Sequence, residues 1–424
     1  MESHLPADPL TRASRGATAS GDAFAPGRAA RDAARHGLYV HVPFCRTRCT
    51  YCDFSSGEKS PAAVERWFAA LEKEAPRRAA AAAGVRFDSL FFGGGTPSAL
   101  AARDFARLRA LLAAYFTLAD GAEVTLEANP ETVDERRLET WAAAGVNRLS
   151  MGAQSFAPEE LAVLGRIHDA ARPPEAIARA RAHGFTRVSL DLMFGFPGHR
   201  MDPWRASVER ALETGIEHLS AYCFIPEAGT PLGDAVLDGR VALPEPEAQA
   251  DLYAWLGEKL GAAGFQNYET SNFCRPGAEC RHNLVYWLRR PYVGLGPSAH
   301  GLWNGVRTAN HYALGRWALD LEHGGSGESE REVECADSRA RESVLLALRL
   351  GCGLEARDFA EDAWGEIDAR YGAALEAATR AGRLERTRDG WRVPPSLRFV
   401  ADDAIAWVEA RSRAADLTLG APAA

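Results

Sequence analysis

The sequence predicts an α/β protein: an incomplete (β/α)6 barrel of the TIM type, then a small, mainly helical, winged-helix-like C-terminal domain. Three observations predict it. Short apolar, β-rich runs alternate with longer runs at helical period up to about residue 245, the pattern of βαβ units and a parallel sheet. Polar, glycine-rich and cysteine-rich positions fall at the ends of those short runs, where barrel enzymes gather their chemistry. From Asp337 to about Val408 the alternation gives way to helices with one hairpin near Leu384–Val393.

The elements follow in order. Residues 1–36 are rich in Ala, Arg, Ser and Gly without apolar periodicity and read as a disordered tail. They lack the apolar core of a secretory signal, and Asp8, Asp22 and Asp32 argue against a transit peptide. Residues 37–245 hold the barrel. Its expected strands are Leu38–Val42, Asp88–Phe92, Glu123–Glu127, Asn147–Met151, Thr186–Met193 and His218–Phe224. Between them, Pro61–Ala82, Ala102–Tyr115, Glu135–Ala144, Pro174–Ala182 and Pro203–Glu213 read as helices. Six units suit an open barrel better than a closed eightfold one. Residues 246–330 read as a connecting helix near Ala248–Ala263, then an irregular stretch, Asn267–Asn310, dense in Gly, aromatics and His. Residues 331–412 form the expected C-terminal domain and 413–424 a disordered tail.

The 424 residues carry a net charge of −8, so no basic field points to nucleic acid or anionic lipid. No apolar run approaches the ~20 residues that span a bilayer. Eight cysteines in a chain this long do not make a disulfide scaffold, and a reducing cytoplasm is the expected compartment.

Cys45, Cys49 and Cys52 are spaced C-x3-C-x2-C directly after the first strand. Three thiolates this close can hold a cubane cluster and leave its fourth iron open to a small molecule, since a closed [4Fe–4S] site takes four cysteines. Zinc would need a fourth ligand that the neighbourhood does not supply. Gly93-Gly94-Gly95-Thr96-Pro97-Ser98 follows the second strand; without a Gly-Lys-Ser/Thr it is not a P-loop, and it reads as a tight turn or a close approach to a ligand. Glu127, Gln154, Arg166 and Asp191 stand at or just beyond later strand ends. There Arg166 can clamp a ligand carboxylate in bidentate fashion. Glu127 and Asp191 can accept from ribose hydroxyls or an ammonium.

With these motifs the chain resembles the radical S-adenosylmethionine (radical SAM) proteins. Within them it is most similar to the oxygen-independent coproporphyrinogen III dehydrogenases and the related haem chaperones. Tyr39 and the cysteine loop, GGGTPS, Leu-Glu-Ala-Asn-Pro at 126–130 and Gly-Ala-Gln-Ser-Phe at 152–156 carry the resemblance, with Leu-Gly-Arg-Ile-His at 164–168, Asp-Leu-Met-Phe-Gly-Phe-Pro-Gly at 191–198 and His-Asn-Leu-Val-Tyr-Trp at 282–287. The resemblance implies a [4Fe–4S] cluster on Cys45, Cys49 and Cys52. It implies SAM contacts from Tyr39, Gly94, Gly95, Thr96, Glu127, Gln154, Arg166 and Asp191. One electron from the reduced cluster would then cleave the sulfonium and release a 5′-deoxyadenosyl radical. An electron donor of flavodoxin or ferredoxin type is implied as well.

Two features separate the branches. The dehydrogenases continue their cysteine motif with a fourth cysteine, where this chain has Phe54, and carry an N-terminal extension with no counterpart in the first 36 residues. The H-N-x-x-Y-W motif marks the chaperones and is complete from His282 to Trp287. It implies haem contacts from His282, Tyr286 and Trp287, with His282 a candidate axial ligand. It also implies a haem-acceptor protein and transient contact with membrane proteins. Coproporphyrinogen dehydrogenation and passive haem carriage with a structural or regulatory cluster are the alternatives. Cys274 and Cys280 read as free thiols rather than a second metal or redox pair. His300, in Gly-Pro-Ser-Ala-His-Gly, is a further candidate for the pocket lining.

Overall fold

The computed structural model describes residues 27–419, with side chains to Arg413. The chain divides into two compact units: Gly27–Phe265 with Ser271–Cys335, and Gln266–Thr270 with the residues from Ala336 onward.

In the larger unit the six expected strands form: β1 Gly37–Val42, β2 Arg86–Gly94, β3 Thr117–Ala128, β4 Arg148–Gln154, β5 Arg187–Phe194 and β6 His218–Cys223. They pair in that order, all parallel. Four further strands come from the stretch that the sequence reads as irregular: β7 Asn272–Cys274, β8 Tyr292–Leu295, β9 His300–Trp303 and β10 Val306–Asn310; β11 Glu328–Val333 follows. β7 pairs antiparallel with β6 at one end. At the other, β8 lies parallel to β1, with Gly37 opposite Tyr292, and β9, β10 and β11 extend the sheet antiparallel. The irregular reading fails for a physical reason. Strands of three to five residues between Gly and Pro turns are too short to show a period.

The helices cover the sheet: α1 Pro61–Ala81, α2 Ala102–Tyr115, α3 Glu135–Ala143, α4 Arg172–Ala182, α5 Met201–Glu213 and α6 Pro246–Ala262. α1 starts where Ser60 accepts the Ala63 amide (3.2 Å) ahead of Pro61 at the first helical position. Asp134 does the same for α3 through the Arg137 amide (2.8 Å). α6 is part of this unit rather than a connector, since Trp204 Nε1 of α5 donates to its Leu252 carbonyl at 3.1 Å. Leu38, Val40, Leu126, Leu149, Leu190 and Leu219 are fully buried within the strands.

The tails also differ from expectation. Residues 1–26 and 420–424 lie outside the described residues. Arg28–Ala33 is helical, held where Gly27 N donates to Glu279 Oε1 (2.9 Å) and where Arg31 and Ala34 are buried. The last helix runs from Ala401 through Leu419, past the expected boundary at 412.

The smaller unit has helices Ala336–Ala347, Glu361–Arg380 and Ala401–Leu419 and a three-stranded sheet that includes the expected hairpin, Glu385–Arg386 with Gly390–Arg392. Its own core holds Leu348, Leu354, Leu375, Val393 and Val408. Among the described residues no helix is long and apolar enough to cross a membrane.

Candidate functional site

The three cysteines sit on a loop tied down at both ends. Phe44–Cys45 pairs in parallel with Gly57–Glu58, and Gly57 N donates to Pro43 O at 2.9 Å. The middle of the loop is pinned from the far side of the sheet: Thr50 N donates to Leu164 O (3.3 Å), Thr50 Oγ1 to Val163 O (2.8 Å), and Leu232 N to Thr50 O (2.8 Å). Gly165 sits against this loop with φ +68°, and a Cβ there would lie 2.9 Å from Thr50 Cγ2. Cys45, Cys49 and Cys52 are free, half-buried thiols. Burial raises the Cys52 thiol to about 11, and the neighbouring Cys49 and Cys45 add to the rise. Tyr51 packs with Leu164, Met193, Phe196 and Phe224 and gives the loop a dry apolar floor. Among the described residues no three of His, Cys, Asp and Glu converge on a single-ion site. A cubane spreads its thiolates over separate irons and does not ask for that.

The triple glycine grips this loop. Gly95 N donates to Val42 O (2.9 Å) and Thr96 N to Phe44 O (2.7 Å), while the Thr96 hydroxyl reaches Cys45 Sγ at 3.4 Å. Gly94 has φ +111°, and a Cβ on it would stand 2.7 Å from the His41 ring, so only glycine fits. Its amide goes to Glu127 Oε2 at 3.1 Å. The amides of this run are therefore spent within the protein, and Gly95 and Thr96 hold the cysteine loop in place.

Arg166 reaches the cysteines from the β4 side. Nη1 donates to Cys49 Sγ (3.3 Å), and Nη2 donates to Asn129 Oδ1 and Gly152 O, both at 2.8 Å. Only its buried Nε lacks a partner. The bidentate carboxylate clamp expected of Arg166 is thus not what the guanidinium presents, because both terminal nitrogens are already engaged. Gln154 ends β4 at φ +63°, where the register with β5 shifts between Gly152 and Gln154. Such a bulge re-aims a side chain at a strand end. Two half-buried carboxyls complete the rim. Burial, then the nearby Asp191, pushes Glu127 up to about 8. Burial pushes Asp191 up to about 6 against hydrogen bonds from Ser220 and Ser150.

Beside this rim lies a cavity of about 520 Å³. Tyr39, Gly94 and Glu127 line it on the rim side, His282, Tyr286 and His300 on the other, and Phe54, 58% exposed, stands at its edge. His282 and Tyr286 share one face of the helix Arg281–Trp287; Trp287 does not line the cavity. Glu123 fixes the start of that helix, accepting from Arg281 N (2.8 Å) and His282 N (3.4 Å) while paired with Arg148 and Arg187. The His282 ring stacks on Phe91 with 5.1 Å between centroids. Its Nδ1 lies 2.9 Å from Ser89 Oγ and its Nε2 2.8 Å from Tyr286 OH. Burial lowers it to about 3, so the ring is neutral.

The radical SAM superfamily model matches residues 39–211. Across 340 residues the chain is 42% identical to the haem chaperone HemW of Mycobacterium tuberculosis, covering 78% of this chain and 85% of that one. It is 34% identical over 352 residues to HemW of Bacillus subtilis, covering 82% and 92%. The chain belongs to the HemW family of radical SAM proteins. Among solved structures it is similar to coproporphyrinogen III oxidase (HemN) from Escherichia coli, a radical SAM enzyme, with a TM-score of 0.77 over 90% of this chain and 93% of that one. At 23% identity that likeness speaks to the fold alone.

A radical SAM protein of the HemW family is built to hold a [4Fe–4S] cluster and SAM, and the residues on this rim fit both. Three free thiols share one pinned loop, and the Arg166 guanidinium donates to one of them, Cys49 Sγ, at 3.3 Å. Gly94 and Gly95 pack so closely on His41 and Phe44 that a Cβ would clash, which holds the cysteine loop in place, and the half-buried carboxyls of Glu127 and Asp191 offer partners to a sulfonium or ammonium. Reading the sequence missed the supports: Ser89 and Phe91 behind His282, Glu123 at its helix start, and Tyr51 beside Cys49. Glu123 and Phe91 sit inside strands, so the sequence offers only burial as their signal. Cys274 and Cys280 are buried thiols, Cys280 Sγ lying 3.5 Å from Glu123 Oε1, and burial raises both, Cys280 to about 12; thiols of that kind are unreactive.

Proposed function

We propose that the chain is a haem chaperone: it binds haem in the aromatic cavity and passes it to an acceptor protein, with a [4Fe–4S] cluster on Cys45, Cys49 and Cys52 and SAM on the neighbouring rim. One observation carries the reading. At the position where the dehydrogenase branch has its fourth cysteine, this chain turns Phe54 into the edge of the cavity, adding apolar surface to a pocket already walled by Tyr39, Phe91, Tyr286, Tyr292 and Tyr312. A flat macrocycle suits such walls. The names of its HemW relatives support the same cargo.

When bound, cluster and SAM supply one-electron chemistry at the rim. The chain's own residues do the rest. Arg166 holds Cys49 Sγ through Nη1, Glu127 and Asp191 would pair with a positive group of the cofactor, and the apolar floor under Tyr51 would keep water from the cluster. The reductant would be a small flavodoxin- or ferredoxin-like protein. Thiolates that must stay reduced support a reducing, cytoplasm-like compartment for the protein.

The test is a haem titration of the anaerobically reconstituted protein, run beside an assay of coproporphyrinogen III turnover. One haem bound per chain without turnover is expected. Turnover to protoporphyrinogen without stable haem binding would overturn the reading in favour of the dehydrogenase.

A further inference from the structure

Two side chains donate to sulfurs of the cysteine loop, and one amide joins them. Arg166 Nη1 donates to Cys49 Sγ (3.3 Å) and Thr96 Oγ1 to Cys45 Sγ (3.4 Å). Between them stands Asn129, the residue after β3. Its Oδ1 accepts from Arg166 Nη2 (2.8 Å), and its Nδ2 donates to Thr96 Oγ1 (3.3 Å). Donors and acceptors can run only one way along this chain. A guanidinium has no acceptor, so Arg166 must face the amide oxygen of Asn129. That leaves the amide nitrogen, a donor only, for Thr96. The Thr96 hydroxyl therefore accepts from Asn129 and has its single proton left for Cys45. One amide sets both the direction of the Thr96 hydroxyl and the anchorage of Arg166.

Asn129 itself has little freedom. Its backbone N donates to Ser98 Oγ (3.2 Å), and its carbonyl accepts from Thr132 N (2.9 Å). Thr132 Oγ1 lies 2.7 Å from Ser98 Oγ and 2.6 Å from Asn129 O. Ser98 and Thr132 are both buried. The turn Pro97–Ala99 after β2 and the turn Pro130–Thr132 after β3 are thus locked to each other, and Asn129 enters the second turn with its side chain held towards Thr96 and Arg166.

We propose that Asn129 is a positioning residue for the cluster: by bridging Thr96 and Arg166 it aims one donor at Cys45 and one at Cys49, and so raises the reduction potential of the [4Fe–4S] cluster. The proposal rests on the cluster assignment in the reading above. Reduction by one electron adds one negative charge to the cluster and its thiolates. Hydrogen bonds to the sulfurs stabilise the reduced form more than the oxidised one, so their loss lowers the potential. Asp in place of Asn129 keeps the shape and the acceptor for Arg166 but has no donor for Thr96. The Thr96 hydroxyl would turn its proton to the new carboxylate. Cys45 would lose its bond, and a negative charge would stand close to the cluster.

The experiment is a redox titration of the anaerobically reconstituted full-length protein without SAM, with dithionite as reductant, followed by the magnetic-resonance signal of the reduced cluster. It compares wild type, Asn129→Asp, Thr96→Val and the double variant, with bound iron and the urea midpoint as folding controls. Asn129→Asp should lower the reduction equilibrium constant about tenfold or more, a shift of about 59 mV for a one-electron couple. Thr96→Val should lower it less. The double variant should fall short of the sum of the two, because both changes remove the same bond to Cys45. A wild-type potential in Asn129→Asp with the cluster in place overturns the proposal, as do shifts that add in full. If Asn129→Asp takes up no cluster, Asn129→Ala, uncharged and unable to bridge, decides in its place: a lowered potential supports the bridge and an unchanged one overturns it. Wild type that takes up no cluster overturns the cluster assignment itself, and with it this role of Asn129.

Discussion

The cysteine rim and the aromatic wall adjoin through Tyr39, Gly94 and Glu127 but are built by opposite means. The rim is made of loops after long parallel strands and of the later halves of those strands: the cysteines follow β1, Gly94 closes β2, Glu127 is next to the last residue of β3, Gln154 closes β4 and Asp191 lies within β5. The wall is made of a seven-residue helix and strands of four or five residues; Tyr292 opens β8 and His300 opens β9, while Tyr286 sits within the helix. The rim is therefore ordered by the repeat of the fold, and the wall by individual contacts. Chemistry placed by a repeat tolerates change in its supports less than chemistry held by single contacts, because one loop anchors several groups at once.

The largest effect should come from the rim. Cys49→Ser should abolish the broad visible absorption of the cluster and lower bound iron to background, while the far-ultraviolet circular dichroism stays native, since Cys49 is half-buried and packs no core. A variant that kept the full spectrum would show that the cluster does not depend on this loop.

The difference between rim and wall explains what the sequence makes legible. Strand ends are visible in sequence because period changes there, so all six barrel strands and the residues after them can be found without a structure. The wall is hidden for the same reason in reverse. β8 is four residues long and pairs with β1 across more than 250 residues of sequence, which nothing local announces. His282 was legible as a motif, yet its environment was not: Ser89 and Phe91 come from β2 and Glu123 from β3. Short three- to five-residue strands also concealed that α6 and most of the following segment belong to the barrel unit.

Arg166 sharpens the contrast, because one side chain ties β4, Asn129 and Cys49 together. Arg166→Met should leave the Gly152 carbonyl and the Asn129 amide oxygen unpaired in a buried place, at about 1–3 kcal/mol each. Denaturant unfolding should show the loss, and the reconstituted cluster should bleach faster in air. An unchanged midpoint would mean that these bonds are replaced by water. A smaller effect is expected at Gly165→Ala. A left-handed backbone costs a residue with a Cβ about 1–2 kcal/mol, and the methyl would press on Thr50. The cluster loop should loosen, visible as faster proteolysis between residues 46 and 56, while the wall keeps its haem.

The last effect is a slope rather than a step, and it isolates the rim's electrostatics. Glu127 titrates near 8 in the folded chain because burial and the Asp191 carboxyl favour its protonated form. Unfolded, it titrates near 4.3. Between those values the folded state holds a proton that the unfolded state has lost, so stability present at acid pH drains away as pH rises towards 8, by about 1.4 kcal/mol per pH unit at most. Asp191, raised to about 6, adds to the slope at its acid end. Glu127→Gln keeps an oxygen for the Gly94 amide and removes the titration. Urea midpoints of the cofactor-free protein from pH 5 to 8.5 should therefore fall for the wild type and stay flatter for Glu127→Gln, with the two curves diverging towards alkaline pH. Parallel curves would place the proton elsewhere.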